Sequence, residues 1–127
     1  MGVAQRRLLL IDDEDDIREV AKLSLELVAR WDVVTASSGA QGVEMAEVEQ
    51  PDAILLDVMM PGMDGAATYS RLQSNPATRA IPVVLLTAKI FDRPDDRRGL
   101  EGITVISKPF DPMRLATQVA AALGWTG

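Results

Sequence analysis

The chain has no cysteine and no histidine among its 127 residues. The first absence removes disulfides, thiolate metal sites and cysteine nucleophiles. The second removes the commonest general base, the usual transition-metal ligand and any role as a phosphohistidine carrier. Chemistry with hard cations through oxygen ligands stays open. Basic residues are fewer than acidic ones, 13 against 19, which gives a net charge of −6. That balance argues against direct nucleic-acid or anionic-membrane binding, since both need basic patches. No apolar stretch approaches the ~18 residues of a membrane span. Met1 to Arg7 carries a basic pair but no small-residue cleavage site, so a cytoplasmic protein is expected rather than a secreted one. What remains is ordinary for a globular protein, with 47% apolar residues in a length that suits one domain with its own core.

Four short apolar runs each stop on a polar residue that does not belong in a core. Leu8 to Ile11 stops on Asp12-Asp13, Ala53 to Leu56 on Asp57, and Val83 to Leu86 on Thr87. Ile103 to Ile106 runs through Ser107 to Lys108. Runs this short, bounded by turn residues, suit parallel strands buried on both faces. Parallel strands end at one common edge, which is where open α/β sheets bind ligands.

Amphipathic stretches alternate with these strands. The spacing predicts strands at Arg7 to Ile11, Val33 to Ala36, Ala53 to Asp57, Ile81 to Thr87 and Ile103 to Ile106. It predicts a helix from Asp15 to about Arg30, with Ile17, Val20, Ala21, Leu23, Leu27 and Val28 forming its apolar set. A second helix, capped by Ser37 or Ser38, covers Ala40 to about Val48, and a third covers Ala66 to about Gln73. Asp92 to Leu100 is a short or distorted fourth, with few apolar positions. Asp111 caps a fifth with Pro112 at its first position, stopped at Leu123 by Gly124. Five strands and five helices imply a three-layer α/β sandwich. Right-handed crossovers and a sheet of order 2-1-3-4-5 set the first and third strands side by side, which joins Asp12, Asp13 and Asp57.

Five consecutive acids, Asp12 to Asp16, have a structural explanation in part. Acids at a helix N-terminus favour the macrodipole by ~0.3–1 kcal/mol each, which accounts for Glu14, Asp15 and Asp16. Asp12 and Asp13 instead sit directly on the end of a buried strand. Carboxylates ~4 Å apart repel by ~4 kcal/mol at an effective dielectric of ~20, so the cluster holds either a proton or a cation. Oxygen-only ligands with open positions point to Mg²⁺. Asp57 alone reads as an ordinary turn residue. Beside such an ion, and followed by the tightly turned DVMMPGMDG loop, it becomes a candidate nucleophile toward phosphorus. Thr87 is either a plain strand terminus or a hydroxyl donor to phosphoryl oxygens. Lys108 either escapes to solvent or meets the acids as a point charge for phosphate.

Taken together, the motifs LLIDDE, DAILLDVMMPGMDG, VVLLTA and SKPFDP resemble the receiver domain of two-component response regulators, over essentially the whole chain. The resemblance implies a flavodoxin-like (βα)5 fold, and members of that family exemplify the 2-1-3-4-5 order, so the order is analogy as much as derivation. It implies that Asp57 accepts a phosphoryl group from a sensor histidine kinase or phosphotransfer protein. It also implies Mg²⁺ held by Asp12, Asp13, Asp57 and the backbone carbonyl of Met59, with Thr87 and Lys108 contacting the phosphoryl group. Such a domain is not an independent enzyme. It assists its own phosphorylation and dephosphorylation and signals to a downstream protein, as a monomer or a weak phosphorylation-dependent dimer.

Two departures qualify the resemblance. Val105 stands where the family often carries a switching aromatic, three residues before Lys108. Gly102 stands six residues before that lysine, one closer than the family's Gly-Ala. These favour signalling through repositioned loops over an aromatic–threonine switch, and they keep a degenerate, phosphorylation-independent interaction module as the alternative. Met59 and Lys89 flank the path of water to the phosphoryl group; apolar Met59 cannot orient a water and Lys89 covers the phosphate electrostatically, so a long-lived phosphoryl state is expected. The chain reads as one receiver domain over 1–127, with its core at about 6–123. With no output segment following, a stand-alone regulator is the expectation.

Overall fold

Short apolar runs that leave no polar residue to face solvent need cover on both sides, and the computed structural model shows how they get it. It describes residues 5–89, 91 and 97–125. Among the described residues nine elements are formed: β1 (Arg7–Ile11), α1 (Asp15–Ala29), β2 (Asp32–Ala36), α2 (Gly39–Glu49), β3 (Ala53–Leu56), α3 (Gly65–Ser74), β4 (Val83–Thr87), β5 (Val105–Ser107) and α4 (Leu115–Leu123). The five strands are all parallel, in the order β2-β1-β3-β4-β5. Leu8 to Ile11 pair with Val33 to Ala36 on one side and Ala53 to Leu56 on the other. All four residues of β3 are buried.

Alternation along each strand splits the core into two layers. Leu8, Leu10, Leu55, Val84 and Leu86 face Ala21 and Leu25 of α1 and Leu115 and Val119 of α4. Leu9, Ile11, Ile54, Leu56 and Leu85 face Ala46 of α2 and Leu72 of α3. A fully buried leucine or isoleucine contributes roughly 1.5–3 kcal/mol, so these strands carry most of the fold's hydrophobic drive.

Local signals set several boundaries. The Ser38 hydroxyl accepts the Gln41 N–H and the Asp64 carboxylate accepts the Ala67 N–H, so both helices start on a side-chain cap. Gly124, at φ 71°, ends α4 in the left-handed region, and the following Trp125 N–H donates to Ala120 O. Trp125 packs edge-on against Trp31, centroids 5.1 Å apart, with the Arg6 guanidinium 4.2 Å over its ring.

The structure corrects four expectations. The inward face of α1 is Ala21, Ser24 and Leu25, not the set that included Val20, Leu23, Leu27 and Val28, which are exposed. Ser24 is buried because its hydroxyl donates to Pro112 O, a partner 88 residues away. β5 begins at Val105 rather than Ile103, whose N–H is engaged in a turn with Leu100 O. β4 begins at Val83 rather than Ile81, which is likewise held in a turn by Thr78 O. α4 begins at Leu115, because Asp111 caps a separate turn, its carboxylate accepting from Met113 N–H. Most of the helix expected at Asp92 to Leu100 lies outside the described residues. Its end, Arg97 to Leu100, is a turn.

Candidate functional site

Each buried strand hands its hydrogen-bond ladder one residue further, onto a polar side chain. Asp12 N–H donates to Ala36 O of β2 at 3.1 Å, and Asp57 N–H to Ile11 O of β1 at 2.9 Å. Lys108 N–H donates to Thr87 O of β4 at 3.0 Å. The sheet therefore fixes the backbones of Asp12, Asp57 and Lys108 at its carboxyl edge, as the apolar runs imply.

Their side chains meet there. Carboxylate oxygens of Asp12, Asp13 and Asp57 lie within 4.8 Å of one another. Lys108 Nζ sits among them, 2.7 Å from Asp12 Oδ2 and 3.3 Å from Asp57 Oδ2. Asp12 is 0% exposed and Asp57 2%, so these are charges held out of water. Asp12 Oδ1 accepts the Glu14 N–H at 2.9 Å, and Asp57 Oδ1 accepts the Met59 N–H at 3.2 Å. Burial holds the Asp12 carboxyl above its ordinary range, and the Lys108 ammonium offsets only part of that rise. Burial pulls the Lys108 ammonium down, but contact with Asp12 and Asp57 outweighs it and leaves the lysine above its ordinary value.

A cation fits this donor set. Asp13 Oδ1 is enclosed and meets no hydrogen-bond donor among the described residues. Asp12 Oδ2 has only the charge contact with Lys108, which is not aligned as a hydrogen bond. All the side-chain donors are carboxylate oxygens, the ligand type of Mg²⁺. Three carboxylates facing one ammonium leave the centre short of positive charge.

The loop after Asp57 is drawn tight by Gly65, whose N–H donates to Val58 O at 2.9 Å. A Cβ on Gly65 would stand 2.5 Å from Val58 Cα and 2.9 Å from Asp57 O, so this close approach admits only glycine. Met59, exposed, and Lys89 line a groove of about 430 Å³ with Val58, Met60, Pro61 and Asp64. Met59 and Lys89, the pair expected to flank the path of water to the phosphoryl group, both line this groove.

Thr87 reaches the same edge but looks elsewhere. It is fully buried, and its hydroxyl accepts the Lys89 N–H at 3.1 Å. Val105 opens β5 opposite Leu85 and is half-buried against the same core layer as Phe91 and Ile103. Glu14 stands at the helix N-terminus as expected, but sequence reasoning missed its second contact. As the N-cap of α1 it makes no side-chain cap, and its carboxylate instead takes Lys108 Nζ at 3.3 Å. The two residues are 94 positions apart, so no local pattern contains the contact.

Comparison with known proteins places this arrangement. The family model of the response regulator receiver domain matches residues 8–120. The response regulator PleD of Caulobacter vibrioides is 44% identical over 117 residues, covering 89% of this chain and 25% of its own length. The alkaline phosphatase synthesis transcriptional regulatory protein PhoP of Bacillus subtilis is 36% identical over 120 residues, covering 93% of this chain and 48% of its own. The chain thus spans between a quarter and half of these relatives. Among solved structures, a putative response regulator from Chloroflexus aurantiacus superposes with a TM-score of 0.81 at 30% identity, covering 95% of this chain and 99% of that one. The chemotaxis protein CheY4 of Vibrio cholerae reaches a TM-score of 0.83 at 24% identity over 94% of this chain and 99% of that one, a likeness of fold.

Proposed function

The chain belongs to the response regulator receiver domain family, and on that premise we propose that Asp57 is its phosphoacceptor in a histidine-to-aspartate phosphorelay. One observation carries this reading: Lys108 Nζ lies between two buried carboxylates, Asp12 and Asp57, beside an unpartnered oxygen of Asp13. An Asp57 oxygen attacks the phosphorus of a phosphohistidine on a sensor kinase or phosphotransfer protein. A P–O bond forms, the P–N bond breaks, and its electron pair returns to the imidazole ring. Asp12, Asp13, Asp57 and the Met59 carbonyl would hold Mg²⁺, which neutralises charge on the transferring oxygens. Lys108 supplies a fixed positive charge to the phosphoryl group. Thr87 releases the Lys89 N–H and turns its hydroxyl to a phosphoryl oxygen. The chain acts in the cytoplasm as a monomer or weak dimer, and its phosphoryl state controls a downstream protein.

Incubation with acetyl phosphate and Mg²⁺ is expected to add one phosphoryl mass to the protein. That adduct should be absent in Asp57→Ala, and no adduct on the unmodified protein would overturn the reading. Met59 is apolar and Lys89 cationic at the groove, so the adduct is expected to be long-lived. Rapid phosphate loss from the isolated protein would contradict that part alone. A second reading, a receiver that binds partners without phosphorylation, draws on Val105, which has no ring to rotate. It predicts equal partner capture with and without beryllofluoride.

A further inference from the structure

Asp12 faces two demands that conflict in this site. Its Oδ1 accepts the Glu14 N–H, and its Oδ2 faces Lys108 Nζ at 2.7 Å. A Mg²⁺ joined by Asp12 would bring a second cation beside that ammonium, and repulsion between the two would loosen the ion pair. Asp57 Oδ2, the second partner of Lys108, belongs to the group proposed to react. One carboxylate within reach of the ammonium is needed by neither ion nor phosphoryl group: Glu14, with Oε1 3.3 Å from Nζ. Its backbone is pinned from both sides. The Glu14 N–H is tied to Asp12, and Arg18 binds both Asp12 O at 2.8 Å and Asp15 Oδ1 at 2.5 Å.

We propose that Glu14 is a positioning residue that holds Lys108 when Asp12 turns to Mg²⁺, and that competes with the phosphoryl group for the same ammonium. This rests on the phosphoacceptor reading only in its second half. With Glu14 present, Asp12 gives up the lysine more readily, so the ion binds more tightly. Glu14 also draws the ammonium toward itself, so Lys108 turns less readily to a phosphoryl oxygen and the phosphoryl state is weakened. Removing the Glu14 charge therefore moves the two ligands in opposite directions. A role confined to the start of α1 would shift thermal stability and move both ligands the same way.

The test compares the unmodified protein with Glu14→Gln, which keeps the side chain's length. Mg²⁺ binding is read by calorimetry, and beryllofluoride binding at saturating Mg²⁺ by amide shifts. Glu14 is 58% exposed on its side chain, so each effect is limited to the range of a screened ion pair. Glu14→Gln is expected to bind Mg²⁺ about two- to fivefold more weakly and beryllofluoride about two- to fivefold more tightly. In a Lys108→Met background the Mg²⁺ effect of Glu14→Gln should shrink toward unity. An equal effect in both backgrounds means Glu14 acts directly on the ion and overturns the proposal. So do shifts of the two ligands in the same direction. Failure of the unmodified protein to bind beryllofluoride would refute the phosphoacceptor reading, while the Mg²⁺ cycle still decides whether Glu14 works through Lys108.

Discussion

Replacing Lys108 by methionine isolates the electrostatics of the sheet edge. Methionine retains an apolar stem of similar length, so the packing of a side chain that is only 7% exposed is largely kept. What disappears is the positive charge 2.7 Å from Asp12 and 3.3 Å from Asp57, both of them buried. Breaking a buried pair by removing one partner costs about 3–5 kcal/mol, because the other charge is left uncompensated. Two carboxylates are orphaned here, and their mutual repulsion adds up to ~4 kcal/mol at 4 Å and an effective dielectric of ~20. The pair escapes part of this by sharing a proton, so about 3 kcal/mol at neutral pH without divalent cations is the expected loss. For a domain of this size that lowers the melting temperature by about 10 °C. Urea unfolding with and without Mg²⁺ measures it. Saturating Mg²⁺ should restore most of the stability, since the ion now meets no competing ammonium, and Mg²⁺ affinity should rise. A shift to mildly acid pH should restore it too, by protonating Asp12, whose carboxyl burial already holds above its ordinary range. A loss below about 1 kcal/mol, or one insensitive to both Mg²⁺ and pH, would refute the reasoning.

Further predictions follow from the same geometry. In the unmodified protein the raised Lys108 pKa means the lysine's contribution is complete below its ordinary value of 10.5 and is lost as pH rises through the higher folded value. Alkaline urea titrations should show a stability loss that is absent in Lys108→Met. The raised Asp12 pKa has the opposite consequence: its ionised form costs stability above the folded value, and the cost is relieved as pH falls toward 3.8. Mg²⁺ affinity should therefore begin to fall at a higher pH than an ordinary aspartate would give, as calorimetry across pH 4 to 7 would show. Gly65→Ala should cost roughly 1–3 kcal/mol in urea unfolding, by forcing residue 65 away from Val58 and Asp57, and should weaken Mg²⁺ binding with it. Trp125→Ala removes the edge-on ring pair and the Arg6 contact, for a loss of about 2 kcal/mol in the same assay. It should leave Mg²⁺ affinity unchanged, since Trp31 and Arg6 precede their strands and the site follows them.

The strands and the acidic cluster were legible for one reason. A strand buried on both faces must be apolar throughout, so its first polar residue marks its end, and parallel strands gather those ends together. Asp12, Asp57 and Thr87 were found by that rule, and Lys108 one residue beyond the polar Ser107 that closes β5. The same logic fails for α1, which carries apolar residues at 17, 20, 21, 23, 25, 27, 28 and 29 and so offers more than one plausible inward face. The choice is made by Ser24, whose burial depends on Pro112 in a distant loop. Glu14 fails in the same way, since its partner is Lys108 and a helix N-terminus supplies a sufficient local reason for an acid. The start of α4 was misplaced because Asp111 and Pro112 are good starting residues, and they do start a turn, but not the helix itself.

This division between rigid and free parts bears on how a phosphoryl group at Asp57 would be felt. The backbones of Asp12, Asp57 and Lys108 are bonded into the sheet and have little room to move. Val105 has no ring to rotate, and its backbone is paired with Leu85. The adaptable group is the Thr87 hydroxyl, and a turn toward a phosphoryl oxygen, to which it would donate, would draw it off the Lys89 N–H that it accepts. Loss of that bond would free the chain leaving β4. Downstream, Phe91 lies under the Arg97 guanidinium at 5.1 Å, and Arg97 also binds Ile103 O just before β5. A phosphoryl group felt at Thr87 is therefore expected to register at Lys89, Phe91, Arg97 and Ile103 rather than at an aromatic on β5. Amide shifts on adding beryllofluoride and Mg²⁺ should be large from residue 87 to 105, and Thr87→Ala should suppress those beyond Lys89 while Asp57 still takes the ligand. If that segment stays silent in the unmodified protein, the loop route is wrong and the signal leaves the site by another face.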